Sequence, residues 1–109
     1  MAQSLRILVA DDHELFREGL LLLLGRERPD FNVVAVASLR AALERLEAGE
    51  AFDVALVDLR MPDTGGLADI IALKRRFPAI RVAVISGLCG RTEIVEALKG
   101  GLDGFLPKT

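Results

Sequence analysis

Three carboxylates, one hydroxyl and one ammonium group stand out because each follows a short apolar run. Asp11 and Asp12 form an acidic doublet, Asp58 and Ser86 follow two further runs, and Lys108 lies near the end of the chain. Crowded carboxylates repel each other, so one of them takes up a proton unless a cation is present. Mg²⁺, a hard divalent ion with oxygen ligands, is the ordinary cellular choice. This cation and a lysine ammonium would suit a transferring phosphoryl group, for which a carboxylate can be the nucleophile, forming an acyl phosphate.

Each of these residues, taken alone, also has a simpler explanation. Asp11, with Glu14 three residues later, could cap a helix. Asp58 could be a turn residue after a strand, Ser86 could be a helix cap or a turn residue, and Lys108 could be a solvated charge. The functional interpretation depends on the combination, because four polar positions at one edge of a sheet, with the acidic doublet counted as one, are hard to reach by chance.

Two further residues are given structural interpretations. His13 follows the acidic doublet and could be a ligand or a base, but neighbouring side chains at a helix start point in different directions, which favours a surface residue. Cys89 lies in a loop between two glycines, and nothing in its sequence context indicates a reactive thiol. We interpret Cys89 as incidental.

Short apolar runs alternate with amphipathic ones along the whole chain. Val- and Ile-rich runs that are nearly continuous in apolarity predict strands buried on both faces, at 5–10, 33–37, 54–57, 81–85 and 105–106. Helical periodicity and its stop signals predict helices at 14–25, 39–48, 67–77 and 92–99. This alternation predicts an α/β fold with parallel strands and right-handed crossovers. In such a sheet, ligands bind where loops leave the carboxyl ends of the strands, and the polar residues stand there.

Composition limits the class of protein. The chain has 109 residues, 51% of them apolar and 28% charged, so it should form one folded domain. A single cysteine excludes an internal disulfide and a cysteine-based zinc site. No apolar run approaches the roughly 18 residues of a membrane span, and no signal peptide is recognisable, so we expect a cytoplasmic domain. A net charge of −2 disfavours direct binding of nucleic acid.

The polar residues and their flanking sequences resemble the receiver domain of two-component response regulators, and within it the NarL/FixJ (LuxR-type) subfamily. The first strand and its acidic pair match at 8–13 (LVADDH), and the third strand with its following Met-Pro matches at 56–62 (LVDLRMP). Gly66 matches the glycine that opens the third helix, and 104–109 (GFLPKT) matches the last strand and its lysine. The loop Asp63-Thr64-Gly65 departs from the commoner Gly-Met-Asp.

The resemblance implies a flavodoxin-like, doubly wound sheet of five parallel strands in the order 2-1-3-4-5. It implies that Asp58 accepts a phosphoryl group from a phosphohistidine on a sensor histidine kinase. Asp12 and Asp58 would bind Mg²⁺ directly, with the backbone carbonyl of Arg60 as a further ligand and Asp11 acting through water. Lys108 would pair with the phosphoryl oxygens.

The resemblance also implies a switch. Ser86 would move to bond the phosphoryl group, and Phe105, at the aromatic switch position, would turn inward behind it. The output surface would be the fourth helix and the fifth strand. DNA would be bound only through an output domain that is absent from this sequence.

The family fold has a fifth helix after the lysine, and this sequence stops at Thr109. We therefore expect residues 1–109 to be a receiver domain truncated before that helix. On a helical wheel of about 100° per residue, Leu21 and Leu22 intrude on the polar arc of the first helix. They are either ordinary exposed leucines or the margin of an uncovered apolar surface, which would favour a homodimer or a swapped oligomer.

Two other functions compete with a phosphoacceptor switch. A receiver-like interaction module could work without phosphorylation, but it would have no physical need for the intact set of polar residues. A Mg²⁺-dependent phosphatase or nuclease would carry a second carboxylate just after the nucleophile as general acid-base, and Leu59 and Arg60 stand there. We therefore expect no enzyme beyond self-catalysed phosphoryl transfer and dephosphorylation.

Overall fold

The computed structural model describes residues 5–27, 30–87 and 90–108. Within these ranges, strands and helices alternate strictly: β1 (Arg6–Ala10), α1 (Glu14–Glu27), β2 (Asn32–Val36), α2 (Leu39–Glu47), β3 (Val54–Asp58), α3 (Leu67–Arg76), β4 (Arg81–Ser86), α4 (Arg91–Lys99) and β5 (Gly104–Pro107). The strands form one parallel sheet in the order β2-β1-β3-β4-β5. The prediction of a flavodoxin-like α/β fold is confirmed.

Some elements extend beyond the apolar runs that predicted them. β2 begins at Asn32 because this residue pairs with Arg6 in the parallel register, and β5 begins at Gly104 because it pairs with Ala83. α1 continues through Gly25 to Glu27. Pairing with a neighbouring strand defines strand ends as much as apolarity does, and polar or glycine residues at the ends escape an apolar pattern.

The two faces of the sheet carry two separate apolar clusters. Successive strand residues point to opposite faces, so Leu8 and Val57 contribute to one cluster and Val9 and Leu56 to the other. Buried residues of α2, α3 and α4 complete the first cluster, and the second is covered by Phe16, Leu20 and Leu24 of α1. Packing on both faces makes the sheet a rigid frame for the loops at its carboxyl edge.

α1 also carries an apolar strip that the sheet does not cover. Leu15 is 83% exposed, and Leu22 and Leu23, about two turns later and therefore on the same side of the helix, are 75% and 55% exposed. We call these three residues the α1 leucine strip. Leu21 lies outside the strip and is 36% exposed. Despite this apolar surface, no helix in the described part of the chain has the length and apolarity of a membrane span.

The start of α2 is joined to the loop between β3 and α3. Ser38 caps the helix conventionally, since its Oγ accepts the backbone N–H of Ala41 at 3.0 Å. Asp63, from the distant loop, accepts the backbone N–H of Leu39 at 3.1 Å and that of Arg40 at 2.9 Å. One carboxylate thereby satisfies two of the unpaired donors of the first turn and connects α2 to the loop that follows Asp58.

Candidate functional site

The acidic residues meet because β1 and β3 are neighbours in the sheet. Ala10, the last residue of β1, pairs with Val57, so Asp11 and Asp58 follow on adjacent strands at the same edge. The backbone N–H of Asp11 bonds to the carbonyl of Val36, which continues the β1–β2 pairing by one residue. Asp11 and Asp58 are both buried, with 0% and 2% of their surface exposed. Two carboxylates thus lie within the apolar frame, where an uncompensated charge is costly.

Lys108 reaches this pair from the far end of the chain. Its backbone N–H bonds to the carbonyl of Ser86, which fixes the residue just beyond β5. Its Nζ donates to Asp58 Oδ2 at 3.0 Å and to Asp11 Oδ1 at 3.3 Å, and it lies 3.0 Å from Asp11 Oδ2. The same ammonium lies 4.8 Å from the centre of the Phe16 ring, a cation–π contact. The single ammonium of Lys108 therefore contacts both buried carboxylates.

The environment keeps Lys108 charged. Burial by itself lowers the pKa of the Lys108 ammonium, but the hydrogen bonds to Asp11 and Asp58 and the charges of both carboxylates outweigh it. The pKa of Lys108 consequently lies above its ordinary value. An ammonium group between two carboxylates also provides the positive charge that a phosphoryl group would need at this position.

Backbone donors orient the two buried carboxylates. Asp58 Oδ1 accepts the N–H of Arg60 at 3.1 Å, two residues on, while its Oδ2 faces Lys108. Asp11 Oδ1 accepts the N–H of His13 at 2.7 Å in the same kind of local turn. These turns fix the directions of the carboxylates before any ligand arrives, so the oxygens are preorganised.

His13 takes part in the site through one ring nitrogen. Its side chain is 61% exposed, which agrees with a surface residue, yet its Nδ1 lies 2.7 Å from Lys108 Nζ. The same Nδ1 lies 3.1 Å from Asp11 Oδ1, 3.3 Å from Asp12 Oδ1 and 3.5 Å from Asp58 Oδ2. The interpretation as a surface residue alone was therefore incomplete. The turn at Asp11 keeps His13 outside α1, which begins at Glu14, so helical geometry does not aim its ring.

The other predicted site residues lie around Asp11, Asp58 and Lys108. Ser86 is buried at the end of β4, one residue past Ile85, the partner of Asp58 in the β3–β4 pairing. Phe105 pairs with Val84 and packs, half-buried, against the cluster that α2, α3 and α4 cover. Asp12 and Arg60 are exposed.

A cleft of about 430 Å³ opens over the acidic group, by which we mean the side chains of Asp11, Asp12 and Asp58. The cleft is lined by His13, Phe16, Asp58, Arg60, Gly87 and Lys108. Cys89 and Thr109 lie outside the described residues. The cleft gives the buried carboxylate of Asp58 a route to ligands in solvent.

The donor set fits a hard divalent cation. Asp11, Asp12, His13 and Asp58 each present a ligand atom, and these atoms lie within 4.8 Å of one another. Asp11 Oδ2 is buried and accepts no hydrogen bond, since the bond from Lys108 goes to Oδ1. This oxygen has an ion-pair contact with Lys108 Nζ at 3.0 Å but no hydrogen bond, and an oxygen of that kind inside an oxygen-rich pocket is suited to Mg²⁺ or its bound water.

Comparisons with known proteins agree with this geometry. Residues 7–109 match the family model of the response regulator receiver domain. The glycerol metabolism activator of Pseudomonas putida is 34% identical over 104 residues, which are 95% of this chain and 47% of that protein. The chain thus spans about half the length of this curated relative.

Two solved structures extend the comparison. The signal receiver domain of the putative response regulator NarL from Mycobacterium tuberculosis has a TM-score of 0.81 and 36% identity, and the match covers 98% of this chain and 86% of that chain. A response regulator protein from Burkholderia pseudomallei, crystallised with a phosphorylated aspartic acid, a calcium ion and citrate, has a TM-score of 0.81 and 31% identity, and the match covers 96% of this chain and 60% of that chain.

Proposed function

The chain belongs to the response regulator receiver domain family, and on that premise we propose that it is a phosphoacceptor switch domain with Asp58 as the acceptor. The main support is the contact of one ammonium, Lys108, with the two buried carboxylates Asp11 and Asp58 beneath an open cleft. The donor would be a phosphohistidine of a sensor histidine kinase, met in the cytoplasm. The solved relative from Burkholderia pseudomallei, with its phosphorylated aspartic acid, supports an aspartate as acceptor.

The transfer exchanges one bond to phosphorus for another. A carboxylate oxygen of Asp58 forms a P–O bond while the P–N bond to the kinase imidazole breaks, and the bonding electron pair stays on the imidazole nitrogen, which takes up a proton. Lys108 stabilises the charge on the phosphoryl oxygens, for which its position 3.0 Å from Asp58 Oδ2 is suitable. The N–H of Arg60, by holding Asp58 Oδ1, keeps the carboxylate oriented during the attack.

The same residues would hold Mg²⁺. Asp12, Asp58 and the backbone carbonyl of Arg60 would be direct ligands, and Asp11 would act through bound water. When bound, Mg²⁺ supplies positive charge to the phosphoryl oxygens and offsets the repulsion among the carboxylates. Asp11 contributes by accepting a hydrogen bond from Lys108, which holds the ammonium beside Asp58 at the carboxyl edge of the sheet.

The switch would operate through β4 and β5. Ser86 ends β4 beside the acceptor, so its hydroxyl can bond a phosphoryl oxygen after a small displacement of the loop. Phe105, half-buried in β5, would then fill space behind it. The output surface would be α4 and β5, where Val95, Leu98 and Leu106 already expose apolar side chains.

Residues 1–109 would act as the receiver domain of a transcription regulator. DNA binding would belong to an output domain beyond this sequence, as the names of several relatives as transcriptional regulatory proteins suggest. The domain would catalyse only its own phosphorylation and dephosphorylation. An interaction module that works without phosphorylation is the alternative outcome of the experiment below.

The test is labelling with a small phosphodonor such as acetyl phosphate in the presence of Mg²⁺, followed by intact-mass spectrometry. We expect one added phosphoryl mass on the wild type and on Asp69→Asn, a matched control at an exposed aspartate of α3, and none on Asp58→Asn. Circular dichroism establishes that each variant is folded. No labelling of a folded wild type, or equal labelling of Asp58→Asn, would contradict the proposal and favour the interaction module.

A further inference from the structure

His13 has no role in the transfer proposed above, although its ring nitrogen lies inside the acidic group. It is the single histidine of the chain. Its Nδ1 lies 3.1, 3.3 and 3.5 Å from one oxygen each of Asp11, Asp12 and Asp58. Three carboxylates around one imidazole nitrogen make a mixed oxygen and nitrogen donor set.

The spacing of these atoms is that of neighbouring ligands on one cation. Ligands at right angles on an octahedral ion lie about 3.0 Å apart when each metal–ligand bond is about 2.1 Å. The three distances from Nδ1 exceed this value by about half an ångström at most, and all four donor atoms lie within 4.8 Å of one another. One cation could therefore contact the imidazole and the carboxylates after only small movements.

One tautomer of the imidazole suits a ligand role. Nδ1 lies 2.7 Å from Lys108 Nζ, and an ammonium can only donate, so this contact is satisfied by the tautomer with its proton on Nε2. In that tautomer the lone pair of Nδ1 faces the site. A second observation points to the same cation, because the buried Asp11 Oδ2 accepts no hydrogen bond and its contact is the ion pair with Lys108 Nζ at 3.0 Å.

We propose that His13 is a nitrogen ligand of the cation site, and that it shifts the preference of the site from Mg²⁺ toward cations that favour imidazole, such as Co²⁺, Ni²⁺ and Zn²⁺. The inference rests on the cation site of the proposed function. Mg²⁺ prefers oxygen ligands and water, whereas imidazole strengthens binding of the later divalent metals. A site made of carboxylates alone also binds these metals with different affinities. The evidence for His13 therefore lies in how the order of affinities changes when the imidazole is removed.

The experiment is a calorimetric titration of the untagged domain with Mg²⁺, Co²⁺ or Ni²⁺. His13→Phe retains a ring without a nitrogen, and Glu14→Gln is the control at the next, exposed position. We expect the dissociation constants for Co²⁺ and Ni²⁺ to rise about tenfold or more in His13→Phe, while that for Mg²⁺ changes less than about twofold. Glu14→Gln should leave all three within about twofold.

A second readout uses the single histidine directly. In nitrogen-15 spectra of the wild type, Zn²⁺ should shift the His13 Nδ1 resonance until one equivalent is bound, and Nε2 should keep its proton. A saturable Zn²⁺ site without a shift at Nδ1 would overturn the inference, as would equal losses of Mg²⁺ and Co²⁺ affinity in His13→Phe.

The two proposals fail in different ways. Normal Mg²⁺ binding and phosphorylation together with metal preferences that do not depend on His13 would overturn only the role of the imidazole. If the wild type bound no Mg²⁺ and no Co²⁺, the cation site itself would be refuted, and with it this inference.

Discussion

Replacing Lys108 with methionine should destabilise the metal-free domain strongly, because two buried carboxylates would lose their shared cation. Lys108 Nζ lies 3.0 Å from an oxygen of Asp11 and 3.0 Å from one of Asp58. At an effective dielectric constant of about 20, each attraction is about 5.5 kcal/mol. The two carboxylates present ligand atoms no more than 4.8 Å apart, which corresponds to a repulsion of at least about 3.5 kcal/mol.

These electrostatic energies are gross values, and the desolvation of three charged groups offsets much of them. Removal of one partner from a buried ion pair costs about 3–5 kcal/mol in the free energy of unfolding, because the remaining charge stays buried. We expect Lys108→Met to lie in this range, since Asp11 and Asp58 are both almost fully buried. Methionine has nearly the same length, so lost packing contributes little.

A second substitution separates charge from packing. Asp58→Asn alone loses one attraction and one repulsion, a gross loss of about 2 kcal/mol, and it also removes the desolvation cost of one carboxylate, so we expect its stability to change by about 1 kcal/mol or less. In the Lys108→Met background, Asp58→Asn removes one of two uncompensated charges and should restore about 2 kcal/mol. The two substitutions should therefore be strongly non-additive, as expected of groups in direct contact.

The assay is urea unfolding at neutral pH without divalent cations, with Lys99→Met on the exposed side of α4 as the control. The raised pKa of Lys108 adds a pH signature: its stabilisation is fully present below the ordinary value of 10.5 and is lost as pH rises through the higher folded value. Between neutral and alkaline pH, the difference between wild type and Lys108→Met should stay constant until that alkaline range and shrink within it. If Lys108→Met and Lys99→Met differed by less than about 1 kcal/mol, this account of the site would be refuted.

Three further predictions concern α2, β4 and α1. Asp63→Ala should lower the free energy of unfolding by about 1–2 kcal/mol and speed amide exchange at the start of α2, where two N–H groups lose their acceptor; unchanged exchange would contradict this. The pKa of Asp103 lies below 3.8 because Val82 N–H and then Lys74 favour its charged form, so its stabilisation is present above 3.8 and lost as pH falls through the lower folded value. The difference in urea midpoint between wild type and Asp103→Asn should therefore vanish in strong acid, and a constant difference would contradict it. Leu22→Glu, which places a charge in the α1 leucine strip, should reduce self-association of the domain at high concentration; a wild type that is monomeric by light scattering would contradict that prediction.

Much of the fold could be predicted because the sheet is buried on both faces. Nearly continuous apolar runs identify such strands, and strict alternation with amphipathic runs leaves parallel crossovers as the natural arrangement. The strand order followed from the family resemblance and could not be obtained from apolarity. Residues such as Asn32 and Gly104 were missed as strand ends because they join the sheet through backbone pairing.

The candidate site was predictable to the extent that topology positions it. Asp11 and Asp58 follow adjacent parallel strands, so their meeting is a consequence of the sheet order. The ring of His13 is positioned by the bond from its own N–H to Asp11 Oδ1, a turn that sequence periodicity does not reveal. Asp63 reaches backbone groups 23 and 24 positions away, and such a side-chain-to-backbone contact has no local pattern.

The presence of buried acidic side chains is better explained by the binding chemistry proposed for the site than by a contribution to folding stability. In the described part of the chain, the buried polar side chains are those of Asp11, Asp58 and Ser86, and well-packed apolar residues in place of a buried ion pair often leave a domain equally or more stable. The chain compensates for the two carboxylates with one ammonium, Lys108, and Asp12 has no lysine partner in the described contacts. The charge still missing is positive: three carboxylates and one ammonium leave two negative charges, which a divalent cation would neutralise before a phosphoryl group adds further negative charge. Cation binding should therefore stabilise the fold through the same carboxylates that the metal-free domain keeps at a cost, and substitutions that lower the negative charge should weaken that response.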